Sequence, residues 1–410
     1  MPTMRQPGFG RLWAAQTVSD VGSELTMLAL PLTAILLLHA TPLQVGLLSA
    51  AELLPFVVFG LPAGVLVDRT PPVRVMVVAD LGRAALLATV PVAYLAGGLG
   101  VVQLYLVAFA AGSLTVAFGV AQQSAVHGLV DRRRLIDANS RIELSGAVAA
   151  VSGPGLGGIL IGILSAPLTI ALDALSFVVS ALLLAGIRSA PPPAAGGRRE
   201  GVMGQIREGL VLIAAHPVLR ALALSLAVVN LFGGLFGAVY LIYLARHLHL
   251  GATVIGLVLA VAGSGAVAGA AVAARLGRRV GVGRLIALTA SPFGFLLIPL
   301  APPAFPLPWL LAGELLVSFS GVVFNTTQRG LRQALTPARL QGRMTATIRF
   351  LIVAPGPVGA VAGGVLGSTV GIRAALWTGV VGMLLGAVPI LLSPIPGIRT
   401  IPDLDPDAAA

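Results

Sequence analysis

The sequence predicts an all-α integral membrane protein of twelve transmembrane helices in two pseudo-symmetric six-helix bundles. Three observations carry this. The 410-residue chain is 57% hydrophobic and only 10% charged, whereas a soluble domain carries about 25% charged residues. Apolar stretches of about 20 residues, long enough to cross a bilayer, recur along its length. The arginines fall on alternate connections between those stretches, as cytoplasmic loops require.

The expected spans are 9–38, 42–67, 73–97, 101–125, 139–163 and 166–187 in the first half, then 218–245, 253–274, 283–301, 306–328, 342–368 and 372–393 in the second. Gly or Pro marks many of the turns between them: Thr41-Pro42, Gly97-Gly98, Ala166-Pro167 and Pro302-Pro303. Between the halves, residues 188–204 (RSAPPPAAGGRREGVMG) form a linker, because Pro191-Pro192-Pro193 and Gly196-Gly197 do not hold a helix. Residues 205–216 then read as a short amphipathic helix lying on the membrane surface. The domains are therefore expected at 1–187, a linker at 188–217, 218–393 and a tail at 394–410. The first apolar stretch is too long for a cleavable signal and carries Asp20 and Glu24.

The net charge of +11 suggests nucleic acid until the arginines are placed. Arg69 and Arg74 follow span two, Arg132 to Arg134 follow span four, Arg198 and Arg199 lie in the linker, Arg275 to Arg279 follow span eight, and Arg339 and Arg343 follow span ten. Only Arg246 and Arg373 fall on the other side, with Arg83 and Arg349 inside spans. This is an orientation signal that puts both termini in the cytoplasm. Tyr94, Tyr105, Tyr243, Trp309 and Trp377 sit at the opposite boundary, as an interfacial aromatic belt does. Cysteine is absent, so no disulfide or thiolate site exists. The five histidines are scattered, and no nucleophile triad, phosphate loop or dinucleotide fingerprint occurs. No enzyme activity, metal, cofactor or nucleic-acid partner is expected.

The halves repeat one another. Gly46-Leu47-Leu48-Ser49-Ala50 recurs as Gly256-Leu257-Val258-Leu259-Ala260, and Asp68-Arg69 and Arg74 answer to Arg278-Arg279 and Arg284 at the same offset. Span five carries Gly153-Pro154-Gly155-Leu156-Gly157-Gly158, and span eleven carries Pro355-Gly356-Pro357 and Gly363-Gly364. In transporters built from such repeats, the substrate site lies at the repeat interface near the bilayer midplane.

Charge inside a span costs about 2.5–3.5 kcal/mol on insertion scales, so each such residue needs a reason. Asp20 and Glu24 share one face of span one, and Glu52 lies at mid-depth in span two. Carboxylates in a low-dielectric interior exchange protons near neutral pH more readily than carboxylates in water, which proton coupling requires. A cationic ligand would use the same groups, and a hydrogen bond to a neighbouring Ser, Thr or carbonyl is the structural alternative. Glu314 in span ten lines a cavity or faces an outer vestibule. Arg349 in span eleven pairs with a carboxylate, binds an anionic group or snorkels. Asp173 in span six reads as a structural hydrogen-bonding residue. Gly64, Asp68, Arg69 and Arg74 close span two as a gate or a plain cytoplasmic turn, and Asp80 and Arg83 pair one turn apart on span three. Gly153, Pro154, Gly157 and Gly158 permit a kink and close helix packing.

At these residues the chain resembles the major facilitator superfamily. Residues 64–74 look like its loop 2–3 signature, departing at Pro71 and Pro72 and with the basic residues thinned to Arg74. Residues 153–158 look like the core of the span-five motif of exporters. SDVGSELTMLALPL, AAELLPFVVFGLPAGVLVDR, VVADLGRA, ALDALSFVVSALLL and RQALTPARLQGRMTA resemble the third, twelve-span drug:H+ antiporter group, which includes macrolide, multidrug and siderophore exporters. The resemblance implies export of a hydrophobic or amphiphilic small molecule from the cytoplasm by proton antiport and alternating access. Its partners would be that substrate, protons and membrane lipid, the protein acting as a monomer in the bacterial inner membrane. A dedicated siderophore or natural-product exporter is the alternative, and a non-transporting membrane sensor or scaffold is a third reading. Span four holds no Arg between 101 and 125, so no span-four proton relay is carried over.

The missing cysteines make the topology testable. In Arg133→Cys the new thiol is expected to react with an impermeant maleimide only from the cytoplasmic face, and in Gly98→Cys only from the outer face. The opposite pattern would invert the assignment.

Overall fold

The structure, a computed structural model, describes residues 7–60, 70–187, 202–337 and 340–400. Gly64, Asp68 and Arg69, the linker up to residue 201 and the tail beyond Thr400 lie outside these, as does the side chain of Arg349.

Every regular element among the described residues is helical, and twelve helices are long and apolar enough to cross a membrane. Spans one to six are Gly8–Leu37, Pro42–Phe59, Pro72–Leu95, Val101–Leu129, Leu135–Leu164 and Ala166–Ala185. Spans seven to twelve are Pro217–His247, Ala252–Val280, Val282–Leu300, Leu307–Ala334, Phe350–Thr369 and Ile372–Leu391. A further helix, Val202–Ala215, precedes span seven.

Local chemistry sets the ends. Pro42, Pro72 and Pro217 open spans two, three and seven, at the position where a missing N–H costs nothing. Thr41 and Gln44 form a reciprocal capping box, with Thr41 N–H donating to Gln44 Oε1 at 2.8 Å. Spans one and seven both end in a π-turn, Thr33–Leu37 and Tyr243–His247. A left-handed histidine follows each, His39 at φ 49° and His249 at φ 53°. The two arginines that depart from the charge rule are helix caps. Arg246 donates to the Ile35 carbonyl at 2.7 Å, and Arg373 to the Pro299 carbonyl at 3.2 Å. A guanidinium at a helix C-terminus satisfies an orphan carbonyl and complements the helix dipole.

Four spans among those that differ from the sequence expectation show why. Spans four and ten run on to Leu129 and Ala334 through polar last turns, because backbone hydrogen bonding continues where hydropathy fades. Span nine breaks after Thr289 and passes through a 3₁₀ turn, Phe293–Leu296, next to Pro292. Span eleven is not one helix from 342 to 368: Gln341–Val353 ends and Pro355–Thr369 begins anew. Proline supplies no N–H, so the helical hydrogen-bond ladder lapses at Pro355 although Ala354 before it keeps helical φ and ψ of −59° and −35°.

The chain divides into two compact units, Met1–Gly197 with Leu244–Ala260, and Arg198–Tyr243 with Val261–Ala410. Each is built on a glycine seam. In the first, Gly153 and Gly157 of span five lie against Glu24, Leu25 and Leu28 of span one. The opposite edge of span five meets the start of span eight: a Cβ on Gly158 would stand 2.6 Å from the Ala252 carbonyl and 2.7 Å from Gly256 Cα. In the second unit, Gly359 and Gly363 of span eleven lie against the Leu231 and Leu235 backbone of span seven. Small residues let helix backbones approach this closely in lipid, where dispersion replaces the hydrophobic effect.

Gly158→Ala is therefore expected to destabilise the protein by about 1–3 kcal/mol, read as a lowered thermal midpoint in detergent. Gly119→Ala, where a Cβ meets nothing within 4 Å, is the comparison. Equal midpoints would remove the seam from the account.

Candidate functional site

The first unit carries a polar core on spans one, three, four and six. Asp80 and Arg83 share a face of span three and are both buried, at 0% and 3% exposure. Arg83 Nη2 donates to Asp80 Oδ1, and the other carboxylate oxygen accepts from Ser180 of span six at 2.7 Å. The guanidinium lies between two rings, 4.0 Å from the Phe177 centroid and 4.6 Å from that of Phe118. Aromatic faces and a carboxylate together replace the water that a buried cation loses. Arg83 Nη1 also donates to Thr115 of span four at 3.4 Å.

Asp173 lies one turn from Phe177 on span six, buried, and accepts from Ser176 at 3.0 Å. Both side chains rest over Gly22 of span one, where a Cβ would collide with them. The charge of Arg83 reaches Asp173 and Asp20 as well as Asp80. Asp20 is half-buried, accepts from Gln16 Nε2 at 3.0 Å and lies beside Gly146 of span five.

Glu24 and Glu52 differ from these. Glu24 lies one turn beyond Asp20, and its stem occupies the space that Gly153 leaves open. It is half-buried and makes no hydrogen bond among the described residues. Glu52 is also half-buried and without a hydrogen bond. Span two packs chiefly on span four, through Pro55 against Gly112 and Phe59 against Phe109, rather than on span one. The structure thus brings Asp20 and Glu24 together and leaves Glu52 on a separate helix pair.

In the second unit, Glu314 is buried at 7% exposure and accepts from the Tyr240 hydroxyl at 2.5 Å. Tyr240 stacks on Phe236, which meets Phe295 edge-on. Arg74 is exposed at the start of span three. Arg349 lies on Gln341–Val353. No group of metal-ligating side chains occurs among the described residues.

Several participants escaped the sequence reading: Ser180, Phe118 and Phe177 around Arg83, Tyr240 on Glu314, and Arg332. Arg332 is 8% exposed, with no hydrogen-bond partner for Nε or Nη1 among the described residues. A signal existed for two of them, since Asp173, Phe177 and Ser180 recur at helical spacing on one face of span six. Nothing local flags Phe118 or Tyr240, whose roles depend on another span.

Residues 1–408 match a family described as transmembrane secretion effectors. The multidrug efflux pump Tap of Mycolicibacterium fortuitum is 29% identical over 404 residues, covering 95% of this chain and 96% of its own length. Tap of Mycobacterium tuberculosis is 28% identical over 414 residues, covering 96% and 93%. Among solved structures, the nucleoside transporter NupG aligns with a TM-score of 0.71 at 13% identity, covering 93% of this chain and 97% of its own. A bacterial homologue of the iron transporter ferroportin, inward-facing, gives 0.71 at 17%, covering 93% and 97%. At such identities these structures speak for the fold alone. The twelve helices and the match across the whole chain give one conclusion: this protein belongs to the transmembrane secretion effector family of the major facilitator superfamily, and is a multi-pass membrane transporter, not an enzyme.

Proposed function

We propose that this transporter exports a hydrophobic or amphiphilic, drug-like small molecule from the cytoplasm by proton antiport and alternating access. It would sit in the bacterial inner membrane with both termini in the cytoplasm. The names of the relatives, multidrug efflux pumps, support the substrate class, and the arginine distribution supports the orientation.

One observation carries the coupling half of the reading. The membrane-embedded carboxylates fall into two sets. Asp80, Asp173 and Glu314 are buried and hydrogen-bonded. Glu24 and Glu52 are half-buried and make no such bond among the described residues. A structural carboxylate in a membrane gains a partner, because leaving it unmet costs free energy. A carboxylate that must take a proton in one state and lose it in another works best when no fixed donor holds it charged. Glu24 has a further feature: Gly153, in the span-five run, makes room for its side chain. Asp20, one turn away, is held by Gln16 and is the secondary candidate.

Inside-out vesicles with an imposed proton gradient and a pH-sensitive dye test this. Addition of a hydrophobic cation is expected to release protons from the wild-type lumen, with the response lost in Glu24→Gln or Glu52→Gln. Undiminished proton release in both variants would exclude these residues as carriers. The bonded set should respond differently. Asp80→Ala strands the Arg83 charge between two rings and is expected to cost about 3–5 kcal/mol of stability, whereas Glu24→Gln leaves the thermal midpoint unchanged. A midpoint lowered equally by both would erase the distinction.

A further inference from the structure

The second unit holds a cavity of about 650 Å³ between the ends of spans eight and ten and the start of span nine. That size falls within the roughly 300–1,000 Å³ of small-ligand pockets. Its polar lining is cationic and hydroxylic: Arg278, Arg399, Thr326, Thr327 and Thr400, beside an apolar wall that includes Val282. Among the described residues no carboxylate lines it, and neither guanidinium has a hydrogen bond or ion pair.

The chain builds this cavity with its last described residues. Val282 N–H donates to the Arg399 carbonyl at 3.1 Å, and Gly283 N–H to the Ile398 carbonyl at 2.8 Å. Ile395 is fully buried. Gly283 must be glycine here, since a Cβ would collide with the Ile395 carbonyl. Gly281, at φ 93°, turns the chain so that these two N–H groups meet the segment. Backbone bonds thus fasten Arg399 at the cavity that Arg278 also lines. Among the described residues this charge has no acidic counterpart at the cavity. Arg275, Arg279 and Arg284 lie close in sequence and are exposed, and between Glu208 and Asp403 the only acidic residue is Glu314, already held by Tyr240.

We propose that this cavity binds the phosphate headgroup of an anionic phospholipid, with Arg278 and Arg399 as cationic donors and the threonines as hydroxyl donors. Basic pockets between spans at the cytoplasmic end are where membrane proteins hold such headgroups, and guanidinium matches phosphate geometry. The apolar wall then receives the first carbons of the glycerol and acyl chains. Placing this end at the inner leaflet rests on the orientation proposed above.

The test uses full-length protein in neutral detergent, where sidedness has no part, so it can fail while the orientation stands. Phosphatidylglycerol or phosphatidylcholine is titrated and bound lipid read by native mass spectrometry. Wild type and Arg133→Gln, a change in the first unit, are expected to prefer phosphatidylglycerol equally. The double variant Arg278→Gln/Arg399→Gln should lose roughly thirty-fold in affinity for it, the scale for two arginines near an anionic headgroup. Equal binding by all three overturns the proposal. If millimolar inorganic phosphate stabilises wild type and phosphatidylglycerol does not, the site reads free phosphate and the lipid assignment is wrong. The aspartates at 403, 405 and 407 are the competing occupants. Changing all three to Asn should leave lipid affinity unchanged, and a several-fold gain would mean that the tail fills the cavity. Should the double variant not fold, a photoactivatable phosphatidylglycerol on wild type is expected to crosslink within 273–282, 326–330 or 397–400. Label spread evenly over the other arginine-bearing loops would refute the site.

Discussion

Lipid offers no hydrogen bonds, so each polar atom carried into a span is satisfied by the protein, by an opening to water or by cargo. That constraint organises the first unit. Asp80 has both carboxylate oxygens occupied, by Arg83 and Ser180. The Arg83 cation is enclosed by that carboxylate and two aromatic rings. Asp173 has Ser176 and a glycine to lie against. Against these bonded carboxylates, the unbonded Glu24 and Glu52 stand out. Buried ion pairs are weak evidence for net stability but strong constraints on geometry, since losing either partner strands a charge. The Asp80–Arg83 pair thereby ties spans three, four and six together around fixed partners.

The two units solve the same packing problem with different fillings. Each lays a glycine run of one span along the backbone of another: Gly153 and Gly157 on span one, Gly359 and Gly363 on span seven. Spans one and seven each end in a π-turn followed by a left-handed histidine. Where the first unit sets Asp173 and Ser176 over Gly22, the second sets Phe232 and Phe236 against Gly382 and Gly379. Shape complementarity is kept, large against small, while the chemistry changes from polar to aromatic. Embedded carboxylates therefore concentrate in the first unit, and Glu314 stands alone in the spans of the second.

The arginines divide by environment in the same way. Arg246 and Arg373 cap helix carbonyls, and Arg11 donates to the Gly186 carbonyl at 2.5 Å. These are local uses of charge at helix ends. The guanidinium groups of Arg278 and Arg399 have no such use among the described residues. Cations without a counter-ion among the described residues, at a cavity whose edge is fastened by backbone bonds, are the basis of the lipid proposal.

Twelve spans, their order and the duplicated plan were legible in the sequence, because hydropathy over some 20 residues and charge on alternate loops are sums over many residues that no single contact overturns. The glycine run of span five was legible too, since close helix approach admits few other residues. Helix interruptions at Pro292 and Pro355 were less so, as proline permits a break without fixing where pairing resumes. What only the tertiary structure decided is which partner each embedded charge meets. Hydropathy places Asp80, Asp173, Glu24, Glu52 and Glu314 alike inside spans. Whether Ser180, Ser176 or Tyr240 stands opposite depends on which faces of separate helices come together. That is set by the packing of side chains distant in sequence, and no window along the chain contains it.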